Sequence, residues 1–460
     1  MQFIFKSPAA CPKLAAAIII MQIAQQILFI LLCIVSIWLF SKKVKEIRRN
    51  IKLGRDEHIS DNKPQRWKNL LLLAFGQKKM FRNPLVAVMH FFVYAGFIII
   101  NIEVLEIVLD GITGKHRLFA APLGGFYTFL INSFEVLALL VLLACAIFLV
   151  RRNIIKLKRF VSKDLDGWPR SDANYILITE IVLMILFLTL NASDTLLQAR
   201  GVEHYAAHPT GNFILSHYLH PVLYGIGNEG LQMLERGCWW LHIAGIFAFL
   251  NYLPYSKHLH IVLAFPNAYY AKLKPMGEME NMESIQKEVL YAMQPELAPT
   301  EAAVLQRFGA KDVMDLSWKN LMDAYSCTEC GRCSAACPAN LTGKLLSPRK
   351  IMMDTRDRLE AVGKNIKKNK EFKEDGKSLL HDYITVEELR ACTTCNACVQ
   401  ECPVSISPLD IILQLRRCLV MEESNSPQEW TTMFSNVENN FAPWKFSPDE
   451  RDRWAEEMSS

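Results

Sequence analysis

Five apolar stretches, at about 14–40, 85–109, 127–150, 174–198 and 238–263, restrict this chain more than any other feature. A helix needs about 20 apolar residues to cross a bilayer core of about 30 Å, and each stretch is long enough, with few or no Lys or Arg inside. The first is too long for a signal-peptide core, and its positive charge follows the run instead of preceding it. Residues 1–263 are therefore expected to form a five-helix transmembrane bundle embedded in the lipid bilayer.

Charge then orients the bundle. The net charge of +5 averages two unlike halves: residues 1–263 carry 27 Lys+Arg against 16 Asp+Glu, and residues 264–460 carry 24 against 30. Within the first half the excess sits in two loops, with 13 Lys+Arg in residues 41–84 and seven in 151–173. The other two loops hold two each, Lys115 and Arg117, then Arg200 and Arg236. Basic loops stay in the cytoplasm. The expected topology is a multi-pass protein of the cytoplasmic (inner) membrane, with its N-terminus outside and its second half in the cytoplasm.

The second half is built to bind metal. Cys327, Cys330, Cys333 and Cys337 precede Pro338, and Cys392, Cys395, Cys398 and Cys402 precede Pro403. Both read C-x2-C-x2-C-x3-C-P, the bacterial ferredoxin run for 4Fe–4S clusters, whose fourth cysteine ligates the other cluster. One cluster is thus assigned to Cys327, Cys330, Cys333 and Cys402, and the other to Cys392, Cys395, Cys398 and Cys337. A single run could be a zinc site, but two complete runs favour iron–sulfur. Reduced thiols belong in the cytosol, where the charge pattern independently puts them. Of the 13 cysteines, Cys418 reads as a small buried side chain.

Little in this half signals strand. Helix is expected from Pro348 to Leu359, then a polar lysine-rich stretch from Lys364 to Lys377, then a helix start at Thr385-x-x-Glu388, a capping box. Lys367, Lys368 and Lys370 read as a solvated loop. The domains are then 1–263 (membrane), 264–320 (helical connector, amphipathic at 276–293), 321–425 (helical ferredoxin with two clusters) and 426–460 (tail). The whole chain is expected to be all-α.

Polar groups inside a bilayer mark function by default. His90 and His242 lie within spans, and His258 and His260 sit at the end of the fifth. Neutral imidazole is an axial ligand of haem iron. At a rise of about 1.5 Å per residue, His90 lies roughly 9 Å in from the cytoplasmic side, and His258 or His260 reaches the same depth. One b-type haem is expected there. His242, about 6 Å in from the outside, would need His217 or His220 for a second haem. Glu103, Glu106, Asp110, Glu135 and Asp194 cluster outward, where a quinone site moving protons would use them.

Gly225-x-Gly227-x-x-Gly230 follows no strand, so it is not a dinucleotide fingerprint. There is no Walker A run and no Cys-Cys-Gly. The chain carries no flavin, nucleotide or substrate pocket motif, no catalytic residue is assigned, and no nucleic-acid partner is expected.

With these residues in hand, 14–263 resembles the five-span cytochrome b subunits of respiratory nitrate reductase and heterodisulfide reductase. The separation of His242 and His260 looks like the ligand pair on the last span of the nitrate reductase type, while His90 matches one of the two expected on span two. Residues 313–450 resemble the iron–sulfur half of the heterodisulfide reductase and glycerol-3-phosphate dehydrogenase anchor families, through Ser326–Pro338 and Ala391–Pro403. The chain is also similar to bacterial membrane proteins that pass electrons between electron-transfer flavoprotein and menaquinone. These resemblances imply an electron-transfer subunit with two 4Fe–4S clusters and one or two b haems. They imply contact with the quinone pool, and a Cys-Cys-Gly iron–sulfur partner on a separate subunit. Two other readings are a quinol-linked thiol–disulfide reductase subunit and a haem-free iron–sulfur membrane anchor.

Overall fold

The computed structural model describes residues 12–207, 209–299 and 307–459, with side chains from residue 20 onward except Pro448. Residues 300–306 of the connector and the last residue of the tail lie outside the described residues. Among the described residues the pairing outside helices is limited to two isolated bridges, Arg55 with Ser317 and Leu380 with Ile384.

The first half is five long helices: α1 (Pro12–Ile51), α2 (Pro84–Thr113), α3 (Gly125–Asn153), α4 (Trp168–Ala199) and α5 (Asn228–Tyr252). Their ends follow local chemistry. Pro84 stands in the first turn of α2, where its missing N–H costs nothing, and the Asn83 side chain caps Val86 N–H. Gly114, at φ 71°, closes the same helix in left-handed backbone. Among the described residues four helices are long and apolar enough to cross a membrane: Ile20–Ile51, Pro84–Thr113, Gly125–Asn153 and Trp168–Ala199.

The fifth expected span differs. α5 starts before residue 238 and stops at Tyr252 instead of 263. Its early turns are polar, yet Glu235 is fully buried, accepting from the Tyr205 hydroxyl at 2.8 Å and pairing with Arg236. Pro254, which lacks an N–H, ends the helix. Two short 3-10 turns (Leu253–Tyr255 and Lys257–Leu259) follow before α6 (His260–Tyr269). His242 and His260 therefore do not share one continuous helix.

Neighbouring helices pack α2 on α3, α3 on α4, α4 on α5, and α1 across α2 and α5. Ile131, Phe134 and Ala138 of α3 meet Leu183 and Phe187 of α4. Phe29 of α1 meets Ile107, Trp239 and Ile243. Gly111 permits that approach, since a Cβ there would lie 2.5 Å from the Phe29 ring.

The second half contains α7 (Glu283–Met293), α8 (Trp318–Ser326), α9 (Arg332–Ala336), α10 (Pro348–Asn369), α11 (Val386–Arg390), α12 (Ala397–Glu401), α13 (Pro408–Arg417) and α14 (Gln428–Asn440). One core joins α8, α10 and α13 through Leu321, Ile351, Leu359, Ile411 and Leu415. Cys418 is buried in it. The Thr385–Glu388 capping box forms as the sequence suggests. α10 runs on to Asn369, past the expected end at 359, because lysine is a good helix former and suits a helix C-terminus. Arg358, fully buried on α10, grips Asp312 and Asp375 and donates to the Lys377 carbonyl.

Among the described residues the hydrogen bonds and ion pairs between the two halves lie at one end of the helical bundle. Asn50 of α1 donates to the Tyr325 hydroxyl at 2.9 Å, Arg49 to the Gly363 carbonyl at 2.9 Å, and Lys43 pairs with Glu360 at 3.2 Å. The turn at 78–82, the loop at 154–167 and Lys257 after α5 meet the same unit. Both Lys/Arg-rich loops therefore lie against the cysteine-bearing half.

Candidate metal centres

The two cysteine runs fold alike. α8 delivers Cys327 at its C-terminal end, and α9 carries Cys333 in its first turn. Between them Glu329 (φ 52°) and Gly331 (φ 70°) take left-handed backbone. In the second run Thr394 (φ 54°) and Asn396 (φ 60°) occupy the same two places, ahead of α12. Left-handed backbone is disfavoured outside Gly and Asn, and more so for β-branched Thr. Such strain gathers at functional sites. Here it turns backbone N–H groups toward sulfur: Thr394 N–H donates to Cys392 Sγ at 3.4 Å, and Ile406 N–H to Cys402 Sγ at 3.3 Å.

Two cavities result. Cys327, Cys330, Cys333 and Cys402 line one of about 350 Å³, with Gly331, Arg349, Met352 and Pro403. Cys337, Cys392, Cys395 and Cys398 line another of about 320 Å³, with Pro348, Leu409 and Ile412. Cys398 also reaches the first, as part of the wall between them. Among the described residues no three His, Cys or carboxylate side chains converge on the place of a single metal ion. The thiols instead ring spaces, as a multi-iron group requires. Burial pushes the thiols of Cys327 and Cys398 up to about 12 and that of Cys402 up to about 11. Such sulfurs shed their protons only where positive charge such as iron replaces it. The donor chemistry, the N–H···S bonds and the enclosing shape fit 4Fe–4S clusters.

The first cavity lies beneath the membrane half. Arg349, almost fully buried, clamps Asp164 through Nη2 at 2.6 Å and Nε at 3.0 Å, and donates to the Arg159 carbonyl at 2.6 Å. Burial pushes Asp164 up, but its bonds from Arg349 and Ser162 outweigh this and hold it below the ordinary carboxylate range. Glu329 is likewise lowered against burial by Arg356 at 2.8 Å and Lys257 at 2.5 Å. In the second cavity Cys395 is exposed. Arg416 braces it by donating to the Cys392 carbonyl at 2.5 Å.

Of the four histidines, three gather at this same end. His90 on α2, His258 in the turn after α5, and His260 at the start of α6 lie within electrostatic reach of one another. The rings of His258 and His260 are 5.5 Å apart. His90 Nδ1 meets Gln77 Oε1 at 2.9 Å, and His260 Nδ1 meets the Lys257 carbonyl at 3.0 Å. His242 stands apart, buried, with Nδ1 on the Leu183 carbonyl at 3.0 Å. Because α5 begins at Asn228, His242 lies roughly 21 Å along it, level with Leu183 near the middle of α4. His220 instead contacts Thr195, about 18 Å further along α4 than Leu183, with His217 beside it.

At the opposite end the acids converge on Arg117. It donates to Asp194 at 3.1 Å, Glu103 at 3.3 Å, the Tyr127 hydroxyl at 3.3 Å and Asn191 at 2.6 Å. Tyr127 donates to Glu106 at 2.8 Å, and Asp110 accepts from the Arg117 and Leu118 N–H groups. Glu135 joins through Asn191 at 3.2 Å. Glu103 Oε2 is buried without a hydrogen-bond partner. Arg117 counts only as a loop charge in the sequence. The one signal of its role is that it is a rare cation on a side otherwise poor in them.

Two 4Fe–4S dicluster domain families match the chain, over residues 326–406 and 280–342. The probable iron–sulfur-binding oxidoreductase FadF of Bacillus subtilis is 27% identical over 95% of this chain and 61% of its own length. The EtfAB:quinone oxidoreductase of Syntrophomonas wolfei is 28% identical over 92% of this chain and 56% of its own. One subunit of the ferredoxin/F420H2-dependent CoB-CoM heterodisulfide reductase of Methanosarcina acetivorans is 35% identical over 23% of this chain and 53% of its own. The chain thus spans less than two thirds of the length of these relatives. No solved structure matches it. The chain thus carries 4Fe–4S dicluster domains, is similar to iron–sulfur oxidoreductases, and among its described residues has four helices long and apolar enough to cross a membrane.

Proposed function

We propose that this chain is the membrane electron-transfer subunit of a quinone-linked oxidoreductase, joining a cytoplasmic redox partner to a menaquinone-type quinone through two 4Fe–4S clusters and a b-type haem. The observation that carries this is the placement of two thiol-lined cavities in one unit that docks on one end of the apolar helices, the first of them next to the helix-connecting loops. Cys327, Cys330, Cys333 and Cys402 would hold one cluster, and Cys392, Cys395, Cys398 and Cys337 the other. Once bound, these groups supply one-electron transfer.

The residues around them do the rest. His90 with His258 or His260 would clamp the haem. Fixing Nδ1 on an oxygen acceptor, as at His90 and His260, selects the tautomer that leaves Nε2 for a metal. His242 is the ligand candidate for any second haem. At the far end, Arg117 and its carboxylates would hold and move protons beside a quinone, with the unpartnered Glu103 Oε2 as the receiving atom. α5 would complete a five-span bundle, and the two Lys/Arg-rich loops favour a cytoplasmic position for the cluster half. The relative named for EtfAB supports electron-transfer flavoprotein as a partner, the relative named as a heterodisulfide reductase subunit supports a partner chain, and a Cys-Cys-Gly iron–sulfur subunit is the partner chain proposed.

The test is a reduced-minus-oxidised spectrum of the purified protein, with haem and iron quantified. About eight irons and one or two b haems are expected. Iron without haem absorbance refutes the haem assignment and leaves an iron–sulfur anchor. Absence of iron after anaerobic reconstitution refutes the whole reading. His90→Ala should abolish the haem signal at the cluster end, and an unchanged spectrum refutes that ligand.

A further inference from the structure

We propose that Lys79 and Arg159, two cations belonging to the membrane half, raise the reduction potential of the cluster held by Cys327, Cys330, Cys333 and Cys402. This rests on the cluster assignment above.

Reduction adds a negative charge to a cluster. A buried site disfavours that charge, and nearby cations restore it, which is why net charge and solvent exposure set cluster potentials. The membrane half touches the residues that line the first cavity. Lys79 Nζ donates to the Cys402 carbonyl at 3.0 Å. Arg332, beside Cys333, reaches back to the Lys79 carbonyl at 3.2 Å and Met80 Sδ at 3.4 Å. The place of a Cβ on Gly331 is 3.2 Å from the Arg159 carbonyl. Arg159 lies within electrostatic reach of Cys330, and Lys79 of Cys402.

The balance of charge decides what these cations do. The carboxylates nearest this cavity are already matched: Glu329 by Lys257 and Arg356, Glu401 by Arg82, and Asp164 by Arg349. Lys79 and Arg159 form no ion pair among the described residues; Arg159 lies over the Phe160 ring instead. Their charge is left to act on the sulfurs. At the second cavity Arg416, from its own half, donates to the Cys392 carbonyl and lies within electrostatic reach of Cys392. The redox poise of the first cluster therefore depends on the membrane helices being docked against it.

The test is a potentiometric titration of the full-length protein in detergent, followed by electron paramagnetic resonance of the reduced clusters. Lys79→Gln and Arg159→Gln should each move one midpoint to more negative potential and leave the other in place. The signal that moves should be the one removed by Cys330→Ser. Lys79→Arg should keep the native midpoint. Unmoved midpoints, equal movement of both, or movement of the signal that survives Cys330→Ser each overturn the proposal. If Lys79→Gln lowers iron content, Arg159→Gln decides on the same criteria. A wild-type protein with iron but no reduced-cluster signal refutes the cluster reading itself.

Discussion

Exchange of the fourth cysteine between runs makes a quantitative prediction. Cys402 lies in the second run but lines the cavity of the first, and Cys337 does the reverse. Removing Cys402 should strip the cluster of Cys327, Cys330 and Cys333 and spare that of its own run. Iron would fall from about eight to about four per chain. Single variants cannot separate this from loss of the cluster at the nearest three cysteines, but pairs can. Cys402→Ala with Cys330→Ala removes two ligands of one cluster and should still leave about four irons. Cys402→Ala with Cys395→Ala removes one ligand of each and should leave almost none. If every run held its own cluster, these two results would be exchanged. The assay is iron and acid-labile sulfide per chain in the monodisperse fraction after anaerobic purification. Four irons in the Cys402/Cys395 pair and none in the Cys402/Cys330 pair would refute the crossed arrangement.

Three further outcomes follow from the geometry. Arg358→Met leaves Asp312 and Asp375 facing each other without their cation, and should cost roughly 3 kcal/mol, the low end for a broken buried pair because Asp375 is partly exposed; a loss below about 1 kcal/mol in denaturant titration refutes it. Gly331→Ala forces a Cβ to 2.5 Å from Arg349 Nη1 at φ 70° and should cost about 1–2 kcal/mol in strain alone, with iron lost first from the first cluster; Asn396→Gly should be close to neutral. Asp164 is held low by Arg349, so the native contact binds fewer protons than the unfolded chain. Its stabilisation is then complete above about pH 4 and fades as pH falls toward the lowered value. Limited proteolysis should show the 154–167 loop opening in that acid range, and Asp164→Asn should open it at neutral pH. Opening of the wild type on raising the pH instead would refute the assignment.

Much of the molecule can be read in its sequence. Four long helices follow from apolar length, and the cysteine cradles from a spacing with few other uses. α5 is blurred because Glu235 and Arg236 neutralise each other inside the protein, whereas a hydropathy count sees two charges. Arg117 escapes because its partners come from three helices far apart in sequence: Glu103 on α2, Tyr127 on α3, and Asn191 with Asp194 on α4. The basic loops speak only of orientation in the sequence. In the folded chain Lys43, Lys79, Arg82 and Arg159 also serve as contacts to the cluster half, and one charge count reports both roles without separating them.

Positions 329 and 331 trace the same left-handed path as 394 and 396, so the domain contains one cradle twice: once in contact with the membrane half and once with Cys395 exposed. Whatever the two differ in is owed to their neighbours, since the backbone is shared. The molecule thereby carries its own reference sample. A change made in the membrane half can be judged against the second cradle of the same chain, under the same solvent and at the same concentration, and what moves at one and not the other measures the influence of the bundle alone.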